Sequence, residues 1–378
     1  MTDVLIAAYR RSPFHFAHKG ELAKLRPDDM AAQVVKALVA TTGIDPVEIE
    51  DLVLGCAFPE GEQGLNVGKL VSFIAGLPES VGGATVNRFC GSSMQAIHQA
   101  AGAIMIGAGE AFLCAGVESM SRVPMMGFNP LPNPVLAARF PQAYMGMGET
   151  AENVARRYQI SRADQEAFAL RSQQKAAAAQ AAGRLVAEVV PVEVAGKRVS
   201  QDGCIRGETT TEALAGLKPA FRQDGTVTAG TSSPLTDGAS AVLVCSAAYA
   251  ARRGLQPLAR VKAVAVAGCA PEVMGLGPIL ATQKALARAG IAASALDVVE
   301  MNEAFASQAL ACLRELGIDE AKSNLDGGAI ALGHPLGATG ARITGKAAAL
   351  LQREGGRYAL ATQCIGGGQG IATVLEAL

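Results

Sequence analysis

The sequence lacks features that would mark whole classes of protein. Its 378 residues include no Trp, only 4% aromatic and 18% charged residues, and the formal net charge is −1. Binding to nucleic acid or to a membrane surface calls for clustered Lys and Arg, which this balance does not indicate. Uncharged stretches such as 89–109 are interrupted by polar residues and glycine, so none predicts a spanning helix. We therefore expect no nucleic-acid partner and no membrane insertion.

Paired cysteines and targeting signals are also missing. The 8 cysteines contain no C-x-x-C pair, and several lie in apolar runs, which is typical of reduced thiols and predicts no metal site. The N-terminal residues lack a basic, apolar leader, and residues 375–378 are not a peroxisomal S-K-L signal. The sequence therefore predicts a cytoplasmic protein.

The sequence is rich in small and aliphatic residues arranged in two similar stretches. Short apolar runs alternate with helical patterns in residues 1–120 and again from residue 257 to the end. This alternation is typical of an α/β fold and favours a mostly parallel sheet in each half. Between them, Pro-rich and Met-rich loops precede helices that we expect to open at Thr150 and Ser161. We predict an N-terminal half of residues 1–120 plus 236–256, an inserted loop domain of 121–235, and a C-terminal half of 257–378.

Cys90 lies between an apolar run and an amphipathic helical pattern that starts at Ser92. The positive end of a helix dipole favours a thiolate, which is the reactive form of cysteine. A buried thiol ahead of a serine cap would explain the same pattern. The residue is a candidate nucleophile, and both interpretations stay open on this motif alone.

Three further residues stand where a chain commonly positions functional groups. His334 follows a glycine-dense loop and could take a proton from a thiol, or could be satisfied within a turn. Cys364 ends an apolar run before a glycine turn and could either transfer a proton or pack. Asn302 stands at a strand-to-helix corner, where a helix N-cap is the simple explanation.

Taken together, the motifs resemble those of the thiolase family. They include Asn-Arg-Phe-Cys-Gly-Ser-Ser at 87–93, Asn-Glu-Ala-Phe at 302–305, Gly-His-Pro-Leu-Gly at 333–337 and Cys-Ile-Gly-Gly-Gly-Gln-Gly at 364–370. A further match runs through 228–233 into 237–239. They follow the family order and cover nearly the whole chain.

The resemblance implies a fold and a set of site residues. The fold would be two similar α/β halves in a five-layered α-β-α-β-α core with an inserted loop domain. Cys90 would accept the acyl group after activation by His334, and Cys364 would move the proton at the substrate α-carbon. Asn302 would hold a water beside His334 in one oxyanion pocket, and the backbone N–H groups of Cys90 and Gly366 would form another.

Coenzyme A would be a co-substrate, with no permanently bound cofactor and no metal. Positions matching the family's CoA site are Met147, Arg206, Ala220, Phe221, Ala229, Ser233, Met274, Ala304 and Phe305. The family forms homodimers and homotetramers, and some bacterial members join a hydratase-dehydrogenase subunit.

One departure bears on the subtype. Short-chain biosynthetic members carry a His where this chain has Gly146, so the sequence more closely resembles degradative 3-ketoacyl-CoA thiolases of fatty-acid β-oxidation. These acyltransferases cleave 3-oxoacyl-CoA with CoA to acetyl-CoA and a shortened acyl-CoA. Alternatives are an acetoacetyl-CoA thiolase, a β-ketoacyl synthase, a cysteine hydrolase, and a non-catalytic acyl-CoA or lipid carrier on the same scaffold.

Overall fold

The computed structural model describes residues 2–378. The strands are β1 (Val4–Arg11), β2 (His15–Phe16), β3 (Asp51–Gly55), β4 (Gly82–Val86), β5 (Ala111–Ser119), β6 (Val192–Val194), β7 (Lys197–Val199), β8 (Thr236–Ser246), β9 (Ala259–Gly268), β10 (Val298–Met301), β11 (Tyr358–Ile365) and β12 (Gln369–Glu376). The α-helices are α1 (Pro27–Thr42), α2 (Val67–Ile74), α3 (Ser92–Met105), α4 (Pro134–Arg139), α5 (Met147–Arg157), α6 (Arg162–Ala181), α7 (Thr211–Ala215), α8 (Ala247–Arg253), α9 (Gly277–Ala289), α10 (Ala306–Leu316), α11 (Ala329–Leu332) and α12 (Leu336–Glu354).

The strands form two sheet regions that meet at β1 and β9. The first has the order β4-β3-β5-β8-β1, with β2 attached to β8, and the second has the order β9-β12-β11-β10. Only two residue pairs, Leu5 with Arg260 and Ile6 with Ala259, join β1 to β9. Strands β6 and β7 make a separate ribbon. Apart from this ribbon, the strands before residue 250 thus form one sheet region and those after it form the other.

The prediction of a mostly parallel sheet is wrong, because the sheet is mixed. Helical crossovers make β3 parallel to β4 and β5, and β10 parallel to β11. Tight turns and long connections produce the remaining pairings, which are antiparallel: the turn at 366–368 reverses β11 into β12, and β8 returns from the inserted segment between β1 and β5. The alternation of strands and helices in the sequence predicted the parallel pairs that helical crossovers connect. It did not predict the antiparallel pairs.

Helices cover both faces of the two sheet regions, which produces the predicted five layers. Helices α1 and α2 pack on the outer face of the first region, and α9 and α10 pack on the outer face of the second. Helices α3 and α12 lie against each other between the two regions. The α-β-α-β-α core expected from the sequence is confirmed.

The middle layer packs closely because glycines of α12 and β5 lie against neighbouring backbone atoms. A Cβ on Gly340 of α12 would lie 2.3 Å from the backbone nitrogen of Met94 in α3, and one on Gly116 of β5 would lie 2.2 Å from the Gly337 carbonyl oxygen. Such packing suits a core with few aromatic side chains. It also brings the N-terminal ends of α3 and α12 side by side.

The segment 121–235 contains α4 to α7 and the β6–β7 ribbon. Helix α6 follows Ser161, as predicted, with a capping box formed by Ser161 and Asp164. Helix α5 begins at Met147, before the predicted Thr150, because Gly146 is extended and its carbonyl accepts from the Thr150 N–H. Within residues 2–378, no helix combines the length and apolar character that crossing a membrane requires.

Candidate active site

A cavity of about 480 Å³ lies where the two halves meet the inserted segment, and Cys90, His334 and Cys364 all line it. These residues come from three distant parts of the chain. Cys90 precedes α3, His334 precedes α12, and Cys364 lies near the end of β11. The fold therefore brings together the two thiols and the imidazole that the sequence singled out.

Cys90 is held by the chain on both sides of the cavity. Cys90 is only 3% exposed, and the Gly366 backbone N–H favours its thiolate form. Its carbonyl oxygen accepts from the Gln363 side-chain amide. Because Gln363 lies near the end of β11, the second half of the molecule holds the backbone of Cys90 in the first.

The sequence-based expectation of a helix-stabilised thiolate at Cys90 is wrong for the free enzyme. Burial raises the pKa of this thiol to about 12, and the Glu118 carboxylate adds to the shift. The Gly366 N–H and the local backbone act in the opposite direction but do not overcome desolvation. Cys90 is thus a protonated thiol that needs a base before it can attack a carbonyl.

His334 has the protonation state and orientation of such a base. Its Nδ1 lies 2.6 Å from the Thr339 hydroxyl oxygen, and that hydroxyl donates its own hydrogen to the Pro335 carbonyl at 3.0 Å. Since the hydroxyl hydrogen is committed, Nδ1–H is the donor to Thr339 and Nε2 carries the lone pair. Burial, aided by the positive charge of Arg342, lowers the pKa of His334 to about 3 and keeps the ring neutral.

Asn302 contacts this imidazole and does not cap a helix. Its amide nitrogen lies 3.3 Å from His334 Nε2, whereas α10 begins at Ala306 with Phe305 as its N-cap residue. Asn302 is fully buried, and its amide oxygen has no hydrogen-bond partner among the groups of residues 2–378. A buried amide oxygen without a partner is a ready acceptor for a water molecule.

Cys364 lies in a different apolar environment from Cys90. It belongs to a buried cluster with Met274, Ala304 and Phe305 and is 1% exposed. Burial raises the pKa of its thiol well above the ordinary value, and a negative charge on Cys90 would raise it further. A thiol of this kind is neutral at rest, and its thiolate is a strong base that readily takes up a proton.

The other predicted positions divide into two groups. The cavity is lined by Met147, Ala220, Phe221, Ser233, Met274, Ala304 and Phe305. The rings of Phe221 and Phe305 meet edge to face with centroids 5.8 Å apart. Arg206 and Ala229 do not line it, and the Arg206 guanidinium instead lies 5.8 Å from the centre of the Phe16 ring. Their predicted role in CoA binding stays a prediction.

Two residues that position the site were missed from the sequence. One is Thr339, whose hydroxyl orients His334. The other is Glu118, a buried carboxylate at the end of β5 that accepts backbone N–H bonds from Ala57 at 2.8 Å, Phe58 at 3.2 Å and Gly337 at 2.8 Å. A lone carboxylate within an otherwise apolar strand was the signal that could have identified it. Among residues 2–378, no group of His, Cys, Asp and Glu is arranged to hold a metal ion.

Fold and site define the class: a neutral imidazole beside two buried thiols, within five α/β layers, is the arrangement of a thiolase. The family profiles agree, since residues 4–248 match the thiolase N-terminal domain and residues 255–377 match the thiolase C-terminal domain. The chain belongs to the thiolase family and is an acyltransferase.

Curated relatives and solved structures match over the full length. A 3-ketoacyl-CoA thiolase of Bacillus subtilis (strain 168) is 47% identical over 389 residues, covering 100% of both chains. The 3-oxoadipyl-CoA/3-oxo-5,6-dehydrosuberyl-CoA thiolase of Escherichia coli (strain K12) is 47% identical over 403 residues, again covering 100% of both. The crystal structure of human mitochondrial 3-ketoacyl-CoA thiolase superposes with a TM-score of 0.92 at 37% identity, covering 100% of this chain and 99% of that chain. The structure of the same human enzyme in complex with CoA also superposes with a TM-score of 0.92 at 37% identity, covering 100% of this chain and 98% of that chain.

Proposed function

We propose that this enzyme cleaves 3-oxoacyl-CoA with CoA, giving acetyl-CoA and an acyl-CoA shortened by two carbons, as a step of fatty-acid β-oxidation. The observation that carries the proposal is the single cavity shared by Cys90, His334 and Cys364. Each of these groups has a separate task in breaking the C2–C3 bond.

In the first half-reaction, His334 Nε2 takes the proton of the Cys90 thiol, and the sulfur attacks the C3 carbonyl carbon. The C2–C3 bond then breaks, and its electron pair passes to C2 as the enolate of acetyl-CoA. The Cys364 thiol protonates C2, so acetyl-CoA leaves and the shortened acyl group stays on Cys90 as a thioester.

In the second half-reaction, the Cys364 thiolate takes the proton of an incoming CoA thiol. The CoA sulfur attacks the acyl-Cys90 carbonyl, and the departing Cys90 thiolate recovers its proton from the His334 imidazolium. All groups return to their starting protonation states, which matches the neutral imidazole and raised thiol pKa values of the free site.

The same geometry supports two oxyanion sites. The Gly366 N–H, which favours the Cys90 thiolate, would donate to an oxygen that develops charge beside that sulfur. On the other side, the Nε2 of His334 and a water held by the unpartnered Asn302 amide oxygen would stabilise a second oxyanion. Removing one such donor typically costs about 3 kcal/mol of transition-state stabilisation.

The lining of the cavity favours thiolysis over the remaining alternatives. Gly146 lines the cavity where biosynthetic thiolases present a histidine, which supports degradation over acetoacetyl-CoA synthesis. A β-ketoacyl synthase would place a second histidine where this chain has Cys364, and a hydrolase would leave Cys364 without a task. A non-catalytic carrier would have no need for a complete set of reacting groups.

CoA recognition follows from the same resemblance, supported by the human relative that binds CoA. The apolar residues Met147, Ala220, Phe221, Met274 and Phe305 would contact the pantetheine arm. Arg206 and Ala229 would lie nearer the nucleotide end, outside the cavity itself.

Substitution of the two thiols tests the proposal. We expect Cys90→Ser to abolish loss of 3-oxoacyl-CoA while the circular dichroism spectrum stays unchanged. We expect Cys364→Ala to stop α-proton exchange into acetyl-CoA while Cys90 is still acylated, as intact-mass measurement would show. Substrate loss without added CoA would instead indicate a hydrolase, and no loss at any acyl length would indicate a carrier.

The remaining family properties are carried over as proposals. We infer a cytoplasmic homodimer or homotetramer, and a hydratase-dehydrogenase partner is the association to test for. Support comes from β4, which pairs with β3 on one side only, and from exposed Phe73 and Ile74 on the neighbouring α2. Light scattering on the purified chain, alone and with such a partner, measures both associations.

A further inference from the structure

We propose that the site selects 3-oxoacyl chains whose far end is uncharged and aliphatic, and discriminates against chains that end in a carboxylate. This inference rests on the proposed thiolysis through Cys90. Relatives of equal identity leave the question open, because the names of two of them, each 47% identical, specify 3-ketoacyl-CoA and 3-oxoadipyl-CoA thiolases. The residues around Cys90 answer it.

The two thiols lie in two separate apolar clusters, and both clusters line the cavity. We assign the cluster around Cys90 to the shortened acyl group and the cluster around Cys364 to acetyl-CoA. Cys90 packs in a buried cluster with Met120 and Leu336, against which Phe58 and Met125 also pack. Cys364 belongs to the other cluster, with Phe305 and Met274. Because the shortened acyl group is carried on the Cys90 sulfur, its chain must contact the first cluster.

That wall offers a carboxylate no counter-ion. Met120, Met125 and Leu336 all line the cavity, and none can donate a hydrogen bond from its side chain. The lining residues, which all lie within the described part of the chain, include no Lys or Arg, and burial keeps His334 neutral. The cavity lining therefore supplies no cation for a chain-end carboxylate.

Arg122, a cationic side chain close to this wall in sequence, is already paired with a carboxylate. Arg122 follows Met120 by two residues, but its guanidinium donates to both carboxylate oxygens of Glu62, which also pairs with Arg26 at 3.2 Å. A chain-end carboxylate would therefore have to give up water for an apolar surface without gaining an ion pair, which is strongly unfavourable. A terminal methyl group loses nothing on the same surface and gains burial.

A matched substrate pair tests the inference on the intact enzyme. 3-Oxohexanoyl-CoA and 3-oxoadipyl-CoA have the same number of acyl carbons and differ only at the chain end. We expect kcat/KM to favour 3-oxohexanoyl-CoA by about 100-fold or more. A ratio near one, or a preference for 3-oxoadipyl-CoA, would overturn the inference while leaving thiolysis intact. Cleavage of neither substrate would overturn the proposed function itself.

A positive charge placed on the wall should weaken the discrimination against 3-oxoadipyl-CoA. Met125 is half-buried, so an arginine there can keep its guanidinium partly hydrated. We expect Met125→Arg to shift the ratio toward 3-oxoadipyl-CoA by about tenfold or more, and the matched Met125→Leu to keep the wild-type ratio.

Leu235→Lys provides a second variant on the same cavity, at a residue that is 45% exposed. Its carbonyl accepts from the N–H of Ala17, a member of the Cys90 cluster, so the lysine would also enter near the acyl chain. An unchanged ratio in both charged variants, with melting temperatures near that of the wild type, would place the chain end elsewhere and refute the assigned wall.

Discussion

Replacing Thr339 by valine would test whether the proton position on His334 limits the rate. The change conserves shape at a buried position but removes the hydroxyl that accepts from Nδ1–H at 2.6 Å and donates to the Pro335 carbonyl at 3.0 Å. Leaving a buried donor without a partner costs about 1–3 kcal/mol. That cost falls on the tautomer whose Nε2 can accept the Cys90 proton, since the other tautomer does not need the lost acceptor.

At about 1.36 kcal/mol per tenfold, the active tautomer is depleted by roughly 5- to 150-fold. We expect kcat for 3-oxoacyl-CoA cleavage to fall by that factor in Thr339→Val while KM changes little, since Thr339 does not line the cavity. Thr339→Ser keeps the hydroxyl and should retain most of the activity. A valine variant within about twofold of the wild type, or a serine variant as slow as valine, would refute the reasoning about the tautomer.

Three further experiments address the Cys90 thiol, the buried carboxylate of Asp326 and the cavity wall at Phe221. Burial raises the pKa of Cys90 to about 12, so the thiolate fraction should grow with pH. We expect alkylation of the free enzyme by iodoacetamide, followed by mass spectrometry, to accelerate about tenfold per pH unit between about pH 7 and pH 9. A rate independent of pH would contradict a protonated thiol. Burial disfavours the charged form of Asp326, but hydrogen bonds from Arg353 and Lys346 outweigh that effect and lower the pKa of Asp326 from 3.8 to about 2. The stabilisation of the fold by this carboxylate is therefore present above about pH 4 and is lost as the pH falls through about 2. Asp326→Asn should therefore lower the free energy of unfolding in urea by about 2 kcal/mol at pH 7, with the difference from the wild type vanishing in acid; a difference that does not change with pH would contradict this. Phe221→Ala removes the edge-to-face partner in the cavity wall and should raise KM for CoA several-fold in steady-state kinetics with little change in kcat, and an unchanged KM would place the pantetheine arm elsewhere.

Local signals in the sequence predicted much of the architecture and the reacting groups. The helix start at Ser161 and the glycine turn after Cys364 lie where the sequence placed them. The confirmed five-layer core and family membership depend on motifs spread across the whole chain. Such motifs are readable because each combines a reactive residue with the glycines or capping residues that hold its backbone.

Properties that depend on neighbours distant in sequence were not predictable. The helix start after Gly91 suggested a lowered pKa for Cys90, but only the assembled core reveals how completely water is excluded from the sulfur. Asn302 was compatible with a helix cap until its contact with His334 was visible. Likewise, the side chain of Thr339 has no distinctive local signal, because its importance arises from one contact across a turn.

The placement of Cys90 and His334 ahead of two helices that come from opposite halves of the chain has a consequence for recombination. A fragment carrying only the first half would possess a nucleophile without a proton acceptor, and the complementary fragment would possess the reverse. Chimeras between relatives should work only where residues that pack closely in the shared middle layer, such as Gly340 and Met94, are inherited as a matched set. The two similar halves are therefore constrained to change together, even though each has its own sheet.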